Sequence, residues 1–346
     1  MAKLLFDAPI YIGGTKITKH YIQSLTYEER EELVEPLFLL FRENGFIYPD
    51  DERKVKLEYK RLLEYEPDLS IDEVFNNSSL ATRICKHYCH SFYKSTEPGK
   101  KTLIEVFNDD ELLRRVIRNR LGMDWYYADG KGDGVNEAFN FSFKMMIQGM
   151  RSMRLVPSIS MFKPSIAKYI CCRYSKEGDL VGDYSAGFGG RMLGAVSCGR
   201  RYLGTDPLTA GELDIMGEAL ELSGYEVMGV GSECFRGDKG SVDLYWSSPP
   251  YYNQEKYSDD LSQAYNRGEA WFYDEYWLRT LENVRYMLKA GGWFGLNVSN
   301  NPKMLSMASE VFGEPDEVIK LRTVRSHLNK TAGITKFEPI YMYKIK

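Results

Sequence analysis

The chain has 346 residues, of which 43% are hydrophobic and 27% charged, and its formal net charge at pH 7 is −4. This length suits two domains of ordinary size, and the composition excludes a chain that is disordered throughout. Six cysteines do not indicate a disulfide framework in a chain of this length, and the N-terminus lacks the long apolar core of a signal peptide. We therefore expect a soluble, cytoplasmic protein.

Residues 1–155 carry helical patterns. Apolar and charged residues alternate at helical spacing over residues 27–44, and an acidic cap precedes a second helical segment at residues 112–120. Residues 128–134 (ADGKGDG) predict a loop, and a methionine-rich helical pattern follows at residues 138–153. We expect a mainly helical domain over residues 1–155.

One cluster in this half invites a metal assignment, namely Cys85, His87, Cys89 and His90. On a helix only Cys85 and Cys89 would share a face, and no second Cys or His pair follows at zinc-finger spacing. We therefore expect no metal site.

The second half alternates short apolar runs with turns. Residues 179–191 (DLVGDYSAGFGGR) predict a strand, a glycine-rich turn and the start of a helix, the context in which backbone approaches a nucleotide-like ligand. A second strand ends at Asp206 and Pro207, where a carboxylate can accept hydrogen bonds from two ribose hydroxyls. A third strand, residues 225–230, ends beside Ser232.

A fourth strand, residues 242–246, leads into the tetrapeptide Ser248-Pro249-Pro250-Tyr251. These residues suit methyl transfer to the exocyclic amino group of a planar base, whose nitrogen is a poor nucleophile because its lone pair is delocalised. The Ser248 side chain and the Pro249 carbonyl can each accept one amino hydrogen and draw the lone pair out of the ring. The prolines stiffen this arrangement, and Tyr251 offers a face for a base taken out of its stack. The alternative is an ordinary Pro-Pro turn at a strand end.

The remaining segments complete an alternating α/β pattern. The sequence predicts helices at residues 277–288 and 303–312, and strands at residues 293–298, 317–324 and 339–344. The long polar and aromatic segment at residues 252–271 is either a loop that closes over substrate or a packed surface excursion.

Residues 157–346 resemble the S-adenosyl-L-methionine-dependent DNA amino-methyltransferases, which modify cytosine N4 or adenine N6. The resemblance runs in order through a Lys-Pro segment at 162–164, the glycine-rich turn at 183–189, the acid of the second strand and the tetrapeptide at 248–251. It implies an α/β fold for residues 156–346: a Rossmann-like, seven-stranded methyltransferase sheet with helices on both faces, after the helical N-terminal domain. Tyr184 and Ser185 replace the Pro and Phe that are usual in the family's loop.

The resemblance also implies roles for individual residues. The catalytic set would be Ser248, Pro249, Pro250 and Tyr251. Asp183 would bind the methionine amino group of the cofactor S-adenosyl-L-methionine, Asp206 its ribose, and Ser232 would lie near its adenine. The complete cofactor set would be Lys163, Pro164, Asp183, Ser185, Ala186, Gly187, Gly189, Asp206, Pro207 and Ser232. Serine at position 248 is more typical of cytosine N4 enzymes, so cytosine is slightly favoured over adenine.

DNA is the expected partner, in a restriction or phage-modification setting, with the oligomeric state left open. Neither half of the chain carries a net positive charge, so DNA binding would depend on local patches. The candidate cations are Arg114, Arg115, Arg118, Arg120, Lys320, Arg322, Arg325, Lys330 and Lys336. Each group could equally form a solvated face. The family's target-recognition segment has no room in the second half, so we expect recognition within residues 1–155.

Two other classes of function stay open. Related enzymes methylate RNA bases or the side-chain amide of protein glutamine, although these usually carry Asn where Ser248 stands here. The altered glycine loop is also compatible with a catalytically silent DNA-binding subunit.

Overall fold

The structure, a computed structural model, describes residues 4–71, 73–75, 79–123, 141–157, 159–252, 256–299, 301–322 and 337–346. The chain forms two compact units. The first, here called the helical unit, comprises Met1–Asp50 and Tyr93–Ile159, and the second, the sheet unit, comprises Asp51–Phe92 and Ser160–Lys346. Within the described ranges no helix is long and apolar enough to cross a membrane.

The helical unit contains six described helices and a small hairpin. Its elements are β1 (Tyr11–Ile12), β2 (Thr15–Lys16), α1 (Lys19–Ser24), α2 (Tyr27–Glu32), α3 (Val34–Asn44), α6 (Leu103–Asn108), α7 (Asp110–Arg120) and α8 (Phe143–Ser152). Thr26 begins α2 with a capping box, in which its hydroxyl accepts from Glu29 N and the Glu29 carboxylate accepts from Thr26 N. Asp109 caps α7 by accepting from Leu112 N at 3.1 Å. The helical segments predicted at 27–44 and 112–120 are therefore present, and α8 lies within the one predicted at 138–153. The predicted loop at 128–134 lies outside the described residues.

The sheet unit begins with the segment 51–92 and continues from residue 160. Its helices are α4 (Glu52–Glu64), α5 (Thr82–Tyr88), α9 (Pro164–Tyr174), α10 (Gly190–Val196), α11 (Ala210–Ala219), α12 (Glu269–Trp271), α13 (Leu278–Met287) and α14 (Pro302–Phe312), with a π-helical stretch at Phe272–Trp277 and 3₁₀ turns at His90–Tyr93, Ser232–Cys234 and Ala264–Arg267. Its strands are β3 (Glu73–Phe75), β4 (Leu180–Asp183), β5 (Arg201–Thr205), β6 (Tyr225–Met228), β7 (Val242–Ser247), β8 (Leu288–Asn297), β9 (Glu317–Arg322) and β10 (Phe337–Lys344).

These strands form one mixed sheet in the order β3-β9-β10-β8-β7-β4-β5-β6. The five strands from β6 to β8 pair in parallel, whereas β10 runs antiparallel to both β8 and β9. The predicted α/β fold with a Rossmann-like, seven-stranded sheet flanked by helices is confirmed. The short strand β3, which pairs in parallel with β9, is an eighth strand that the sequence did not predict.

Residues 51–92 belong to the sheet unit, whereas the sequence analysis expected the chain to divide at residue 155. Besides the pairing of β3, the buried Lys168 on α9 donates to the carbonyls of Leu62 at 2.7 Å and Leu63 at 3.0 Å, at the end of α4. The Ser91 hydroxyl and backbone N–H both donate to Glu212 on α11. These bonds connect residues more than a hundred positions apart, and local sequence patterns carry no information on them.

Two glycines on α10 determine how closely it approaches the Lys-Pro segment. A Cβ at Gly190 would lie 1.9 Å from the Phe162 carbonyl oxygen, and one at Gly194 would lie 2.4 Å from Ala167 Cβ. Since real Cβ atoms do not approach other atoms so closely, these positions require glycine. The segment 162–164 is thereby held against the start of α10, directly after the glycine-rich turn.

Candidate functional site

One cavity of about 390 Å³ lies at the carboxyl ends of the parallel strands of the sheet unit. Its wall includes the segment 160–163, the turn 184–188, the segment 205–209, the loop 231–233 and the tetrapeptide 248–251. A crevice at this edge is where parallel α/β sheets bind ligands. Of the fourteen residues expected in the site, eleven line this cavity, and Pro164, Asp183 and Gly189 do not.

Asp183 lies behind the cavity wall, where it organises the turn. It is fully buried at the end of β4. Its carboxylate accepts from Arg191 Nε at 2.8 Å, Tyr202 Oη at 2.8 Å, Ser185 N at 3.1 Å and Ser247 Oγ at 2.6 Å. A carboxylate has about four acceptor sites, and four protein donors fill those of Asp183. The sequence analysis expected this carboxylate to contact the methionine amino group of the cofactor, and the observed geometry differs from that expectation.

The substituted loop positions have clear structural roles. Tyr184 is 2% exposed, and its hydroxyl donates to the carbonyls of Ser247 and Gly295, each at 3.2 Å. Its ring stacks on Tyr245 at 6.1 Å between centroids and meets Trp277 edge-on at 5.8 Å. Tyr184 thus supplies aromatic packing beneath the loop, and the small Ser185 faces the cavity.

Asp206 joins the glycine-rich turn to the beginning of α11. One carboxylate oxygen accepts from Gly187 N at 2.9 Å, and the other accepts from Leu208 N and Thr209 N, both at 2.9 Å. Gly187 has φ of 56°, in the left-handed region where glycine is favoured. Burial raises the pKa of the Asp206 carboxyl, and its three backbone hydrogen bonds oppose that rise. The side chain stays partly exposed toward the cavity.

Lys163 and Phe162 form another part of the cavity wall. Burial lowers the pKa of the Lys163 ammonium group. The Arg191 guanidinium lies over the Phe162 ring at 5.3 Å and also donates to the Ser185 carbonyl. Pro164 occupies the first turn of α9, where its missing N–H costs nothing. It therefore positions Lys163 and makes no contact with the cavity itself.

Ser232 faces α13 as well as the cavity. Its hydroxyl lies 2.8 Å from Thr280 Oγ1, and its carbonyl accepts from Asn283 Nδ2 at 3.0 Å. Tyr276, in the π-helical stretch, lines the same part of the cavity with its hydroxyl 3.4 Å from Ser185 Oγ. Burial raises the pKa of Tyr276, so its hydroxyl remains protonated. The sequence analysis missed Tyr276, and π-helical stretches are frequent at functional sites.

The tetrapeptide presents one available hydroxyl and one anchored ring. Ser248 lines the cavity, and among the described residues no hydrogen bond is made by its hydroxyl. Tyr251 Oη accepts from Ser299 N at 2.8 Å, which fixes the ring of Tyr251 at the cavity wall. The neighbouring Ser247, in contrast, is buried and committed to Asp183.

Three other polar side chains of the cavity wall were not predicted from the sequence. Thr205 Oγ1, Gln263 Nε2 and Asn297 Oδ1 are buried and have no hydrogen-bond partner within the described part of the chain. Buried polar groups are normally paired, so these three atoms mark places where a bound molecule would complete the bonding. Only Thr205 has a sequence signal, because it directly precedes the acid of the second strand.

The segment after the tetrapeptide forms part of the cavity wall where it is described. Tyr257, Ser262, Gln263 and Ala264 line the cavity. Tyr265 Oη accepts from Tyr257 N at 2.8 Å, which closes the segment on itself. Both expectations for residues 252–271 stay open, because the described part of the segment lines the cavity and is also packed on itself.

The candidate cations of the helical unit are mostly committed to partners. Arg114 pairs with Glu35 at 2.9 Å, and Arg118 donates to Glu31 at 3.0 Å. Arg120 donates to Asn119 and Ser152, whereas Arg115 is exposed. In the sheet unit, the Lys320 ammonium lies 5.9 Å from the Phe337 ring centre, and Arg322 ends β9. Arg325, Lys330 and Lys336 lie outside the described residues.

Neither a family model nor a curated protein matches the sequence. Solved structures similar to the chain include geranyl diphosphate C-methyltransferase from Streptomyces coelicolor A3(2), in complex with Mg²⁺, geranyl diphosphate and S-adenosyl-L-homocysteine (TM-score 0.38, 13% identity, 53% of this chain and 79% of that chain). Another is the tRNA (m1A58) methyltransferase TrmI from Aquifex aeolicus (TM-score 0.37, 12% identity, 55% of this chain and 72% of that chain). A third is TrmN from Thermus thermophilus (TM-score 0.37, 16% identity, 53% of this chain and 49% of that chain). The strand order of its sheet defines the fold of this chain.

Proposed function

We propose that the protein transfers a methyl group from S-adenosyl-L-methionine to the exocyclic amino group of a DNA base. The observation that carries this proposal is that one cavity contains both a nucleoside-type subsite and an available acceptor of amino hydrogens. The glycine-rich turn with Asp206 forms the first, and Ser248 with Pro249 and Tyr251 forms the second.

The residues of the first subsite fit the cofactor. Asp206 offers a partly exposed carboxylate to ribose hydroxyls, and Gly187 lets the main chain approach closely. The Thr205 hydroxyl, which has no partner among the residues that the structure describes, adds a buried polar group to the same cavity. Lys163 supplies a cation for the carboxylate of the methionine moiety. We assign Asp183 the role of holding Ser185 and Arg191 in place rather than that of a ligand.

The residues of the second subsite fit the amino acceptor. When bound, S-adenosyl-L-methionine supplies a methyl group whose C–S bond breaks as the C–N bond forms, after which the nitrogen releases one proton to water. Ser248 and the Pro249 carbonyl each accept an amino hydrogen and so direct the nitrogen lone pair toward the methyl group. Tyr251, anchored by Ser299 N, provides the surface on which the extruded base stacks.

The substrate assignment has two further parts. Serine at position 248 favours cytosine N4 slightly over adenine N6, as the family resemblance implies. Recognition of the DNA sequence is assigned to the helical unit, where the exposed Arg115 is the candidate phosphate contact that the structure leaves solvent-facing. The first part is supported by the family resemblance and the second by the exposed position of Arg115.

The experiment compares the parent protein with Ser248→Ala. Removing one pre-organised acceptor should slow single-turnover transfer of labelled methyl to DNA roughly 100- to 1,000-fold, while the affinity for S-adenosyl-L-homocysteine is retained. The matched control is Ser241→Ala, because Ser241 donates to Asp238 O in a turn before β7 and does not line the cavity. Label that enters RNA or protein but not DNA would contradict the proposal, as would unchanged transfer by Ser248→Ala.

A further inference from the structure

The buried amide of Asn297 lines the cavity with one end unpaired. Asn297 ends β8 and is 0% exposed, and its Nδ2 donates to the Pro339 carbonyl of β10 at 2.9 Å. Because only the nitrogen of an amide can donate, this bond fixes the orientation of the side chain. Oδ1 is then a buried acceptor without a donor among the described residues. Buried acceptors are normally paired, so we expect a donor to reach this atom when the site is in use.

Contacts on both sides of Asn297 hold the end of β8 against the tetrapeptide. Before it, Leu296 is opposite Ser247 in the parallel pairing of β7 with β8. After it, Ser299 N donates to Tyr251 Oη at 2.8 Å. Asn297 lies between these two points, so it runs beside the first residue of the tetrapeptide.

The side chains of Ser248 and Asn297 belong to the same face of the sheet. Successive residues of a strand alternate between faces, so these two continue the face of Trp246 and Gly295, which are opposite each other. On that face a Cβ at Gly295 would lie 2.6 Å from Trp246 Cβ, so the two strands approach closely. Ser248 follows the last residue of β7 and precedes a proline, which favours an extended backbone. The Ser248 hydroxyl and Asn297 Oδ1 are thereby brought to adjacent positions at the cavity wall.

An acceptor role for Ser248 requires that its own hydroxyl proton point away from the base. A hydroxyl has one donor and two acceptor sites, and a proton turned toward the amino group would face the hydrogens that the oxygen should accept. Ser248 is half-buried, and its hydroxyl makes no hydrogen bond among the described residues. The two prolines that follow have no N–H that could compete for Asn297 Oδ1. A donor that needs an acceptor therefore lies beside an acceptor that needs a donor.

We propose that, when the acceptor base is bound, the Ser248 hydroxyl donates to Asn297 Oδ1, which makes Asn297 a positioning residue for methyl transfer. This inference rests on the proposed function. The bond forms by rotation of the Ser248 side chain between staggered rotamers. It leaves the oxygen lone pairs of Ser248 for an amino hydrogen, and it strengthens them as acceptors because consecutive hydrogen bonds polarise one another. Asn297 itself takes no hydrogen from the base.

A double-mutant cycle of Asn297→Ala and Ser248→Ala tests this role in single-turnover transfer of labelled methyl to DNA. We expect Asn297→Ala alone to slow transfer about tenfold, the effect of one lost hydrogen bond. In a protein that already carries Ser248→Ala it should cause no further loss, because the hydroxyl that it positions is gone. A merely structural role, through the contact with Pro339, predicts the same slowing in both backgrounds, and that result would overturn the inference.

Asn301→Ala is the matched control for the cycle. Asn301 caps α14 by accepting from Met304 N at 3.1 Å, and it does not line the cavity. Its replacement should lower the thermal stability but leave transfer unchanged in both backgrounds. Every variant should bind S-adenosyl-L-homocysteine as the parent does.

A crystal structure of the parent protein tests the bond itself and does not depend on the folding of Asn297→Ala. The complex contains S-adenosyl-L-homocysteine and a DNA duplex that the parent methylates. We expect Ser248 Oγ at about 2.5–3.0 Å from Asn297 Oδ1. A separation beyond hydrogen-bond distance would overturn this inference alone. A parent protein that binds the cofactor but methylates no DNA would overturn the proposed function together with it.

Discussion

Substitutions of Asp206 test the proposed cofactor site, and the structure gives the loss of folding stability that each should cause. Its carboxylate accepts from three backbone N–H groups, each at 2.9 Å. Asp206→Ala leaves all three without that acceptor, and at about 1 kcal/mol for each partly hydrated donor the loss of stability is about 3 kcal/mol. Asp206→Asn keeps one oxygen for Leu208 and Thr209 and loses the bond to Gly187, so we expect a loss of about 1 kcal/mol.

Asp206→Ala and Asp206→Asn should differ in folding stability but should bind S-adenosyl-L-homocysteine with similar affinity. Both lack the charged acceptor for the ribose hydroxyls, so we expect the Kd for S-adenosyl-L-homocysteine to rise about tenfold or more in each. Calorimetric titration measures the affinity, and thermal unfolding measures the stability. Asp214→Asn is the control, because Asp214 is exposed on α11, the helix that follows Asp206. Binding by Asp206→Asn that equals binding by the parent would refute the assignment of Asp206 to the ribose.

The pH dependence gives an independent check on Asp206. Because burial raises the pKa of this carboxyl, it takes up a proton at a higher pH than an ordinary aspartate, whose pKa is about 3.9. Protonation removes the charge that strengthens the ribose contact, so affinity should fall on acidification in the parent. Asp206→Asn should show a weaker fall, and parallel curves for the two proteins would contradict the interpretation.

Three further predictions concern the walls of the cavity. Tyr251→Ala should raise the KM for DNA by about tenfold or more through lost stacking. Tyr251→Phe keeps the ring but loses the bond from Ser299 N, so it should raise the KM less, and neither variant should alter binding of S-adenosyl-L-homocysteine in a direct titration. Gly190→Ala should destabilise the fold by about 1–3 kcal/mol in chemical denaturation, since its Cβ would lie 1.9 Å from the Phe162 carbonyl oxygen. Gly211→Ala is the control and should not destabilise the fold, because a Cβ there would meet no described atom within 4 Å. Burial lowers the pKa of Lys163, so affinity for S-adenosyl-L-homocysteine should fall with rising pH more steeply in the parent than in Lys163→Met; equal slopes would contradict a cationic role.

The sequence predicted the sheet well because its signals are local. Each parallel strand is a short apolar run closed by a turn. β4 ends at Asp183, β5 at Thr205 directly before Asp206, and β7 at Ser247, one residue beyond the predicted end of the fourth strand. Helices α2 and α3 were predicted because apolar and charged residues alternate at helical spacing over residues 27–44. The residues that parallel strands bring to one edge could therefore be named before the structure was known.

The features that the sequence did not predict depend on distant contacts. Strand β3 joins the sheet through β9, almost 250 residues later, and nothing local distinguishes it from a loop. Asp183 was expected to face the ligand, but Arg191, Tyr202 and Ser247 enclose it, and all three come from other elements than β4. The position of Asn297 beside the tetrapeptide depends on the register of β7 with β8.

Analysis of methylated nucleosides tests the central claim most directly. Purified protein is incubated with unmodified DNA and labelled S-adenosyl-L-methionine, the DNA is digested to nucleosides, and the labelled product is identified by mass spectrometry. The account predicts N4-methylcytosine or N6-methyladenine with the parent protein, and strongly reduced product with Ser248→Ala. A protein that binds the cofactor yet leaves neither nucleoside in the digest would contradict it.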